Sequence, residues 1–279
     1  MKVLCLTGIK SDYDILYPVL KELNNSDHDV SLVVSGAHLS ENHHNTYKRI
    51  IEDGFKVEDR IDTLFSTDRT IQRSKAVGLL INGFTQSVER LRPDFIIVLG
   101  DREESIAAAI VGNYMEILVV HLAGGDPVYG NADDPMRFAV SKLAHVHCCF
   151  AKHHVKNLIK VGEESFRIFN TGNPSFTNIH NTPVIQKKEL KKILGIENDN
   201  FIVIIKHPMS SEFNEADKQM EITFNAVETF CSENNFQAVW IPSNSDPGSI
   251  AMKNIANEQI GKSWLIKAKT LPMKQFINL

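Results

Sequence analysis

Three polar clusters between Asp94 and Arg137 carry the residue types that chemistry on an anionic ligand needs: Gly100-Asp101-Arg102, Gly124-Gly125-Asp126, and Asp133-Asp134 followed by Arg137. Carboxylates move protons, arginines hold charge in a fixed fork, and glycines let backbone approach a ligand closely. An Asp at such a place most often caps a helix, which is the bland reading of Asp101 or Asp133 taken alone. Recurrence of the cluster at successive element ends favours a site. Two all-apolar runs, Phe95 to Leu99 and Ile117 to Val120, precede the first two clusters and read as strands buried on both faces. In open parallel sheets, ligands bind beyond the carboxyl ends of the strands, where these clusters fall.

Other candidates are single residues. Lys10 follows the strand-like run Lys2 to Thr7, in a turn that lacks both the dinucleotide fingerprint and the P-loop pattern; its ammonium suits a phosphate, though a solvated lysine is the default. His207 closes a second buried run in Lys206-His207-Pro208, and an imidazole is a residue type suited to a general acid or phosphate ligand; a histidine ending a strand is the equal alternative. Ser243 to Gly248 forms another polar strand end, with Asn244 and Asp246. The four cysteines contain no C-x-x-C pair and read as buried thiols, and His145-Val146-His147 has no neighbours at metal-ligand spacing. The sequence therefore predicts neither a disulfide framework nor a protein-built metal site.

These residues need a scaffold, and the chain alternates strand-like and helical patterns throughout. In Tyr13 to Leu23 the positions Ile15, Leu16, Val19, Leu20 and Leu23 repeat at three and four, as on a helix packed against a sheet. A strand at Asp29 to Val34, a polar loop at Asn42 to Asn45, a short helix at Tyr47 to Asp53, a strand at Phe55 to Ile61 and a long helix at Arg69 to Leu91 follow, with Pro93 marking that helix's end. Beyond the central stretch, Lys142 to Phe150 passes from helix to strand, His153 to Val161 is helical and Phe166 to Phe169 is a short strand. Asn170-Thr171-Gly172-Asn173-Pro174 is the strongest turn cluster and marks a domain boundary, giving domains 1–172 and 173–279. After it come helices at Lys187 to Leu194, Glu215 to Ser232, Ile250 to Glu258 and Pro272 to Asn278, and strands at Phe201 to Lys206, Phe236 to Ile241 and Trp264 to Ala268. The expectation is an α/β protein of two Rossmann-like domains facing a cleft, GT-B-like, with the second domain incomplete.

Composition narrows the partners. A 279-residue chain that is 43% hydrophobic and 23% charged suits a globular protein of this size, and a net charge of -4 gives no basic surplus for nucleic acid. The N-terminal apolar run is too short for a signal peptide, and no apolar segment reaches the ~18 residues of a membrane span. The expectation is a cytoplasmic protein without membrane partners.

The motifs together resemble a family. G-D-R at Gly100 to Arg102, H-L-A-G-G-D at His121 to Asp126, the run Asp133 to His145 and His207-Pro208 resemble the UDP-N-acetylglucosamine 2-epimerases. The resemblance is strongest to the hydrolysing branch, which makes N-acetylmannosamine or related sugars for sialic-acid-like nonulosonates. Thr7-Gly8 with Asp12-Tyr13, Asn45-Thr46-Tyr47 and Ser243 to Ser249 extend it along the whole chain. It implies conversion of a UDP-sugar to its free 2-epimer plus nucleoside diphosphate through a glycal, with no cofactor, in a homo-oligomer. It assigns Asp101 and Asp133 to acid/base roles and His207 to the leaving diphosphate. Substrate binding falls to Lys10, Arg102, Asp126, Asp134, Arg137, Asn244 and Asp246.

Some features depart from the family pattern. Ala123 stands where many relatives have the carboxylate of H-x-E-x-G, Phe138 follows Arg137 where the branch usually reads R-H, and Lys10 stands where relatives often have Arg. A changed pocket at Ala123 would fit a 2,4-diacetamido-trideoxy sugar nucleotide. No G-N-S-S-S-G-like diphosphate turn occurs, so the chain reads as ending before the family's C-terminal segment. The alternative readings are a two-domain glycosyltransferase and a non-catalytic sugar-nucleotide-binding module.

Overall fold

The computed structural model describes residues 1–65, 71–129, 133–242, 246–268 and 271–279. The strands are β1 (Lys2–Thr7), β2 (Asp29–Ser35), β3 (Lys56–Ile61), β4 (Phe95–Leu99), β5 (Leu118–Leu122), β6 (Val146–Cys149), β7 (Ile168–Asn170), β8 (Phe201–Ile205), β9 (Gln237–Ile241) and β10 (Leu265–Lys267). The helices are α1 (Lys10–Asn25), α2 (Tyr47–Glu52), α3 (Ile71–Leu91), α4 (Glu103–Tyr114), α5 (Asp133–Leu143), α6 (Lys152–Lys160), α7 (Ser175–Asn181), α8 (Lys187–Leu194), α9 (Ala216–Asn234), α10 (Ser249–Glu258) and α11 (Met273–Asn278). The chain divides into two compact units, one of Met1–Ser66 with Thr70–Asn178 and the other containing Ile179–Leu279.

In the first unit, seven parallel strands run in the order β3-β2-β1-β4-β5-β6-β7. The order reverses direction at β1 and β4, so a crevice opens at the carboxyl ends of those two strands. Their apolar runs are continuous because both faces are covered. Leu4, Leu6, Ile96 and Val98 pack with Leu80, Phe84 and Val88 of α3 and Ala107, Ala108 and Val111 of α4. The alternate residues Val3, Cys5, Ile97 and Leu99 pack with Tyr13, Leu16 and Leu20 of α1 and Ile50 of α2. Gly112 lets α4 lie close on the sheet, since a Cβ there would sit 2.5 Å from Val119 Cγ2.

The second unit has the sheet order β10-β9-β8, also parallel. Trp240 and Ala238 of β9 face Phe224 and Met220 of α9, while Val239 faces Ile196 and Leu271 on the other side. β8 lies at the edge of this sheet, and its Val203 and Ile205 are exposed.

The α/β architecture expected from the sequence is present, with local corrections. β5 starts at Leu118 and runs to Leu122, two residues past Val120, because Val98 and Leu99 pair with His121 and Leu122. The expected loop at Asn42 to Asn45 begins inside a 3-10 turn, Glu41–His43, and 3-10 turn Ser165–Arg167 precedes β7. The expected start of α3 at Arg69 lies outside the described residues. Helix α7 was not anticipated: its composition is unfavourable, but the Asn173 Oδ1 accepts the Ser175 N–H at 2.9 Å and caps it.

Phe84 is fully buried between α3 and the sheet. Phe84→Ala is expected to cost about 3–5 kcal/mol, read as a lower urea midpoint with an unchanged slope.

Candidate active site

The carboxyl end of β4 turns through Gly100, whose φ is +69°, into Asp101, Arg102 and the first turn of α4. Asp101 is gripped by Arg137, four residues into α5: the guanidinium Nε donates to Asp101 Oδ2 at 2.8 Å, and Nη2 reaches the same oxygen. The third nitrogen, Nη1, lies 3.1 Å from Asp126 Oδ2 beyond β5. One guanidinium therefore joins the ends of two neighbouring strands. The Arg137 and Asp101 side chains are only 12% and 14% exposed, so the pairing is partly desolvated, whereas Asp126 is 40% exposed and open to a ligand.

Asp126 has a second partner. His154 Nε2 of α6 lies 3.2 Å from Asp126 Oδ1, and burial holds the His154 ring neutral by pushing its pKa down against the pull of Asp126. Neutral imidazole facing a carboxylate presents its N–H there. His153 brings a ligand atom within 4.8 Å of the same group. Two imidazoles and a carboxylate are zinc-type donors, but Asp126 already has one oxygen on Arg137 and the other on His154.

The loop between β5 and Asp126 is tightly built. Ala123 has φ +63° and Gly125 φ +77°. A Cβ at Gly125 would lie 2.4 Å from the His154 carbonyl oxygen. His121 is buried and neutral, its pKa pushed down to about 3 by burial. Its Nε2 lies 2.8 Å from the Gly100 carbonyl, which only accepts, so that nitrogen carries the proton and Nδ1 faces Ser141 Oγ at 3.1 Å. This ring ties the β4 turn to β5 and α5.

A second acidic cluster lies at the reversal between β1 and β4. Arg102 Nε is 3.8 Å from Asp12 Oδ2 and 3.6 Å from Glu104 Oε2, and Nη2 is 4.0 Å from Glu103 Oε2. Glu103 is also paired with Arg73, and these two guanidinium groups outweigh the effect of burial and hold its pKa low. Glu104 Oε1 accepts from Ser35 Oγ at 3.1 Å and sits where a Gly8 Cβ would be, 1.8 Å away. Burial raises Glu104, and burial pushes Asp12 up to about 7 against the opposing pull of Arg102.

The expected site residues thus fall into separate settings. Asp101, Asp126 and Arg137 come together, and Asp133 lies one helical turn before Arg137 on the same face of α5. Asp134 accepts the Val128 N–H at 2.9 Å, so it braces the loop ahead of α5. Lys10 Nζ is bound to Asp14 at 2.8 Å, and Asp14 is also held by Arg49 at 2.5 Å. In the second unit His207 is exposed just after β8, and the Asp246 carbonyl accepts the Ser249 N–H at 3.0 Å at the start of α10. Asn244 lies outside the described residues. Phe138 packs with Cys149, Leu158 and Ile168, which gives it a core role. Sequence reasoning missed Asp12, Glu104 and His154 as site residues. Asp12 and Glu104 flank strand ends and were findable by that criterion; His154 is brought in only by tertiary packing.

Comparisons with known proteins give the family and the fold. The sequence profile of the family described as UDP-N-acetylglucosamine 2-epimerase matches residues 21–279. The chain is 32% identical over 279 residues to the UDP-N,N'-diacetylbacillosamine 2-epimerase (hydrolyzing) of Legionella pneumophila, covering 99% of this chain and 73% of that protein. It is 31% identical over 267 residues to the GDP/UDP-N,N'-diacetylbacillosamine 2-epimerase (hydrolyzing) of Campylobacter jejuni, covering 94% and 68%. Its fold matches the crystal structure of a UDP-GlcNAc 2-epimerase from Neisseria meningitidis bound to UDP-GlcNAc, with TM-score 0.78, 18% identity and coverage of 99% and 74%. A UDP-GlcNAc 2-epimerase from Methanocaldococcus jannaschii in complex with UDP-GlcNAc and UDP gives TM-score 0.80 at 14% identity, covering 99% and 75%.

Asp12 gives the site a pH signature in stability. Its native pKa, about 7, lies above the ordinary 3.8, so between these values the native state binds more protons than the unfolded chain. Stability is therefore expected to fall as pH rises from about 4 to about 7. Asp12→Asn should reduce this slope, to which the raised Glu104 also contributes, and raise stability at pH 8 by on the order of 1 kcal/mol, read by thermal or urea unfolding at both pH extremes.

Proposed function

This chain belongs to the UDP-N-acetylglucosamine 2-epimerase family, and from that premise we propose that it is a hydrolysing 2-epimerase of a UDP-linked 2-acetamido sugar. The observation that carries the reading is the Arg137 guanidinium, which holds Asp101 and Asp126 together at the carboxyl ends of β4 and β5. Epimerisation at C2 needs a carboxylate that takes the C2 proton and fixed cations that stabilise the departing diphosphate.

In this reading a carboxylate removes the C2 proton while the C1–O bond breaks, its electron pair leaving with the nucleoside diphosphate and a C1–C2 double bond forming. Water then adds its hydroxyl to C1, and a proton returns to C2 from the opposite face. Asp101 and Asp133 are the acid/base pair, with Asp126 the exposed carboxylate beside them. Arg102 carries the diphosphate charge at the β1–β4 reversal, and His207 assists the leaving group. The 31% and 32% identities to diacetylbacillosamine 2-epimerases support a 2,4-diacetamido sugar nucleotide as substrate over UDP-N-acetylglucosamine.

Incubation of the protein with each of the two sugar nucleotides, followed by NMR, should give UDP and the free 2-epimer, faster from the diacetamido substrate. Asp101→Asn should lower turnover by ~10² or more with the fold retained. Absence of UDP release from either substrate would refute the activity, and wild-type turnover by Asp101→Asn would refute the role of that carboxylate.

A further inference from the structure

Among the described residues, three carboxylates surround Arg102. Asp12, Glu103 and Glu104 lie 3.8, 4.0 and 3.6 Å from its guanidinium nitrogens. Glu103 has a second cation in Arg73, and Asp101 of the same turn is held by Arg137. Asp12 and Glu104 share Arg102, with the Glu104 side chain 7% exposed and that of Asp12 19%. Two carboxylates on one guanidinium in a poorly hydrated crevice titrate as a pair, and a further anion placed there raises their joint affinity for protons.

We propose that Asp12 and Glu104 are positioning residues for Arg102, and that the pair binds a proton when the diphosphate of a sugar nucleotide docks on that guanidinium. This rests on reading the chain as a sugar-nucleotide enzyme. The pair is fixed in place: Glu104 Oε1 is wedged against Gly8 and Gly36, each of which would bring a Cβ within 3.0 Å, and is bonded to Ser35 Oγ. The proton comes from solvent and forms only a carboxyl O–H bond.

Among the described residues, the groups facing the pair offer that proton no other place. On β1, Cys5 is pushed up to about 12 by burial and by Asp12. After β2, His38 is pushed down to about 3 by burial and is bonded to Thr7 and Thr46. On α1, Lys10 is paired with Asp14; on α3, Arg73 is paired with Glu103, whose pKa is held low. Burial pushes Asp12 up to about 7 and raises Glu104 as well, beside the single guanidinium they share.

The experiment is titration calorimetry of the untagged chain with UDP-glucose, whose diphosphate diester does not titrate near neutrality. It is run at about pH 7.5 in Hepes and in Tris, because their different ionisation enthalpies report protons exchanged on binding. The wild type should take up a net fraction of a proton approaching one, and its affinity should weaken several-fold from about pH 6.5 to about pH 8.5. Asp12→Asn combined with Glu104→Gln should abolish the uptake and flatten the pH dependence. Gly8→Ala, which displaces Glu104 without changing charge, should weaken binding about tenfold.

Zero uptake by the wild type, or undiminished uptake in the double variant, overturns the inference. If circular dichroism shows the double variant unfolded, Asp12→Asn alone decides: reduced uptake supports the pair and unchanged uptake refutes it. A wild type that binds no UDP-glucose, or binds it without proton exchange, overturns this inference, while the functional reading is decided separately by UDP release from its own two substrates.

Discussion

The site depends on a single guanidinium satisfying two carboxylates that belong to different strands. Arg137 spends two nitrogens on Asp101 and the third on Asp126, and its side chain is only 12% exposed. Bringing two carboxylates together at a crowded sheet edge would cost several kcal/mol in repulsion and lost hydration without such a partner. The pairing also fixes geometry, since the planar fork of arginine fits both acids at once and a lysine would not. Everything that places Arg137 therefore matters to the chemistry: the start of α5, the Ser141 hydroxyl 3.0 Å from the Arg137 carbonyl, and the neutral His121 that links Ser141 to the β4 turn.

The sheet makes that arrangement possible by being apolar on both faces. Helices α1 and α2 cover one side and α3 and α4 the other, and the central strand β4 is apolar from Phe95 to Leu99. Polar groups then concentrate at the carboxyl edge, where the close approaches at Gly8 and Gly125 let Glu104 and the His154 backbone press against the loops. The two acidic clusters differ in how closely the guanidinium meets its acids. Around Arg137 two acids are held by direct contacts at 2.8 and 3.1 Å. Around Arg102 acids outnumber the cation, and burial raises Asp12 and Glu104.

Much of the fold was legible in the sequence because strands buried on both faces read as apolar runs, as in β1, β4 and β9, and the edge strand β8 reads the same way although its Val203 and Ile205 are exposed. What misread was governed by pairing or local capping: β5 ends where β4 can still pair with it, and α7 exists because Asn173 caps it. Asp101, Asp126 and Arg137 were legible as residues at strand and helix ends, although their convergence on one guanidinium was not. Asp12 and Glu104 were overlooked because an acid beside a helix start is so often a cap. His154 had no local signal at all, since only the packing of α6 against Gly125 brings it to Asp126.

The central claim is that carboxylates at these strand ends move the proton on C2 of a bound sugar nucleotide. The most direct measurement is to run the reaction in deuterium oxide and examine the released sugar by NMR and mass spectrometry. The account predicts one deuterium at C2 of the free epimer, because the abstracted proton exchanges with solvent before a proton is returned. A free, epimerised product that retains its original hydrogen at C2 would contradict it.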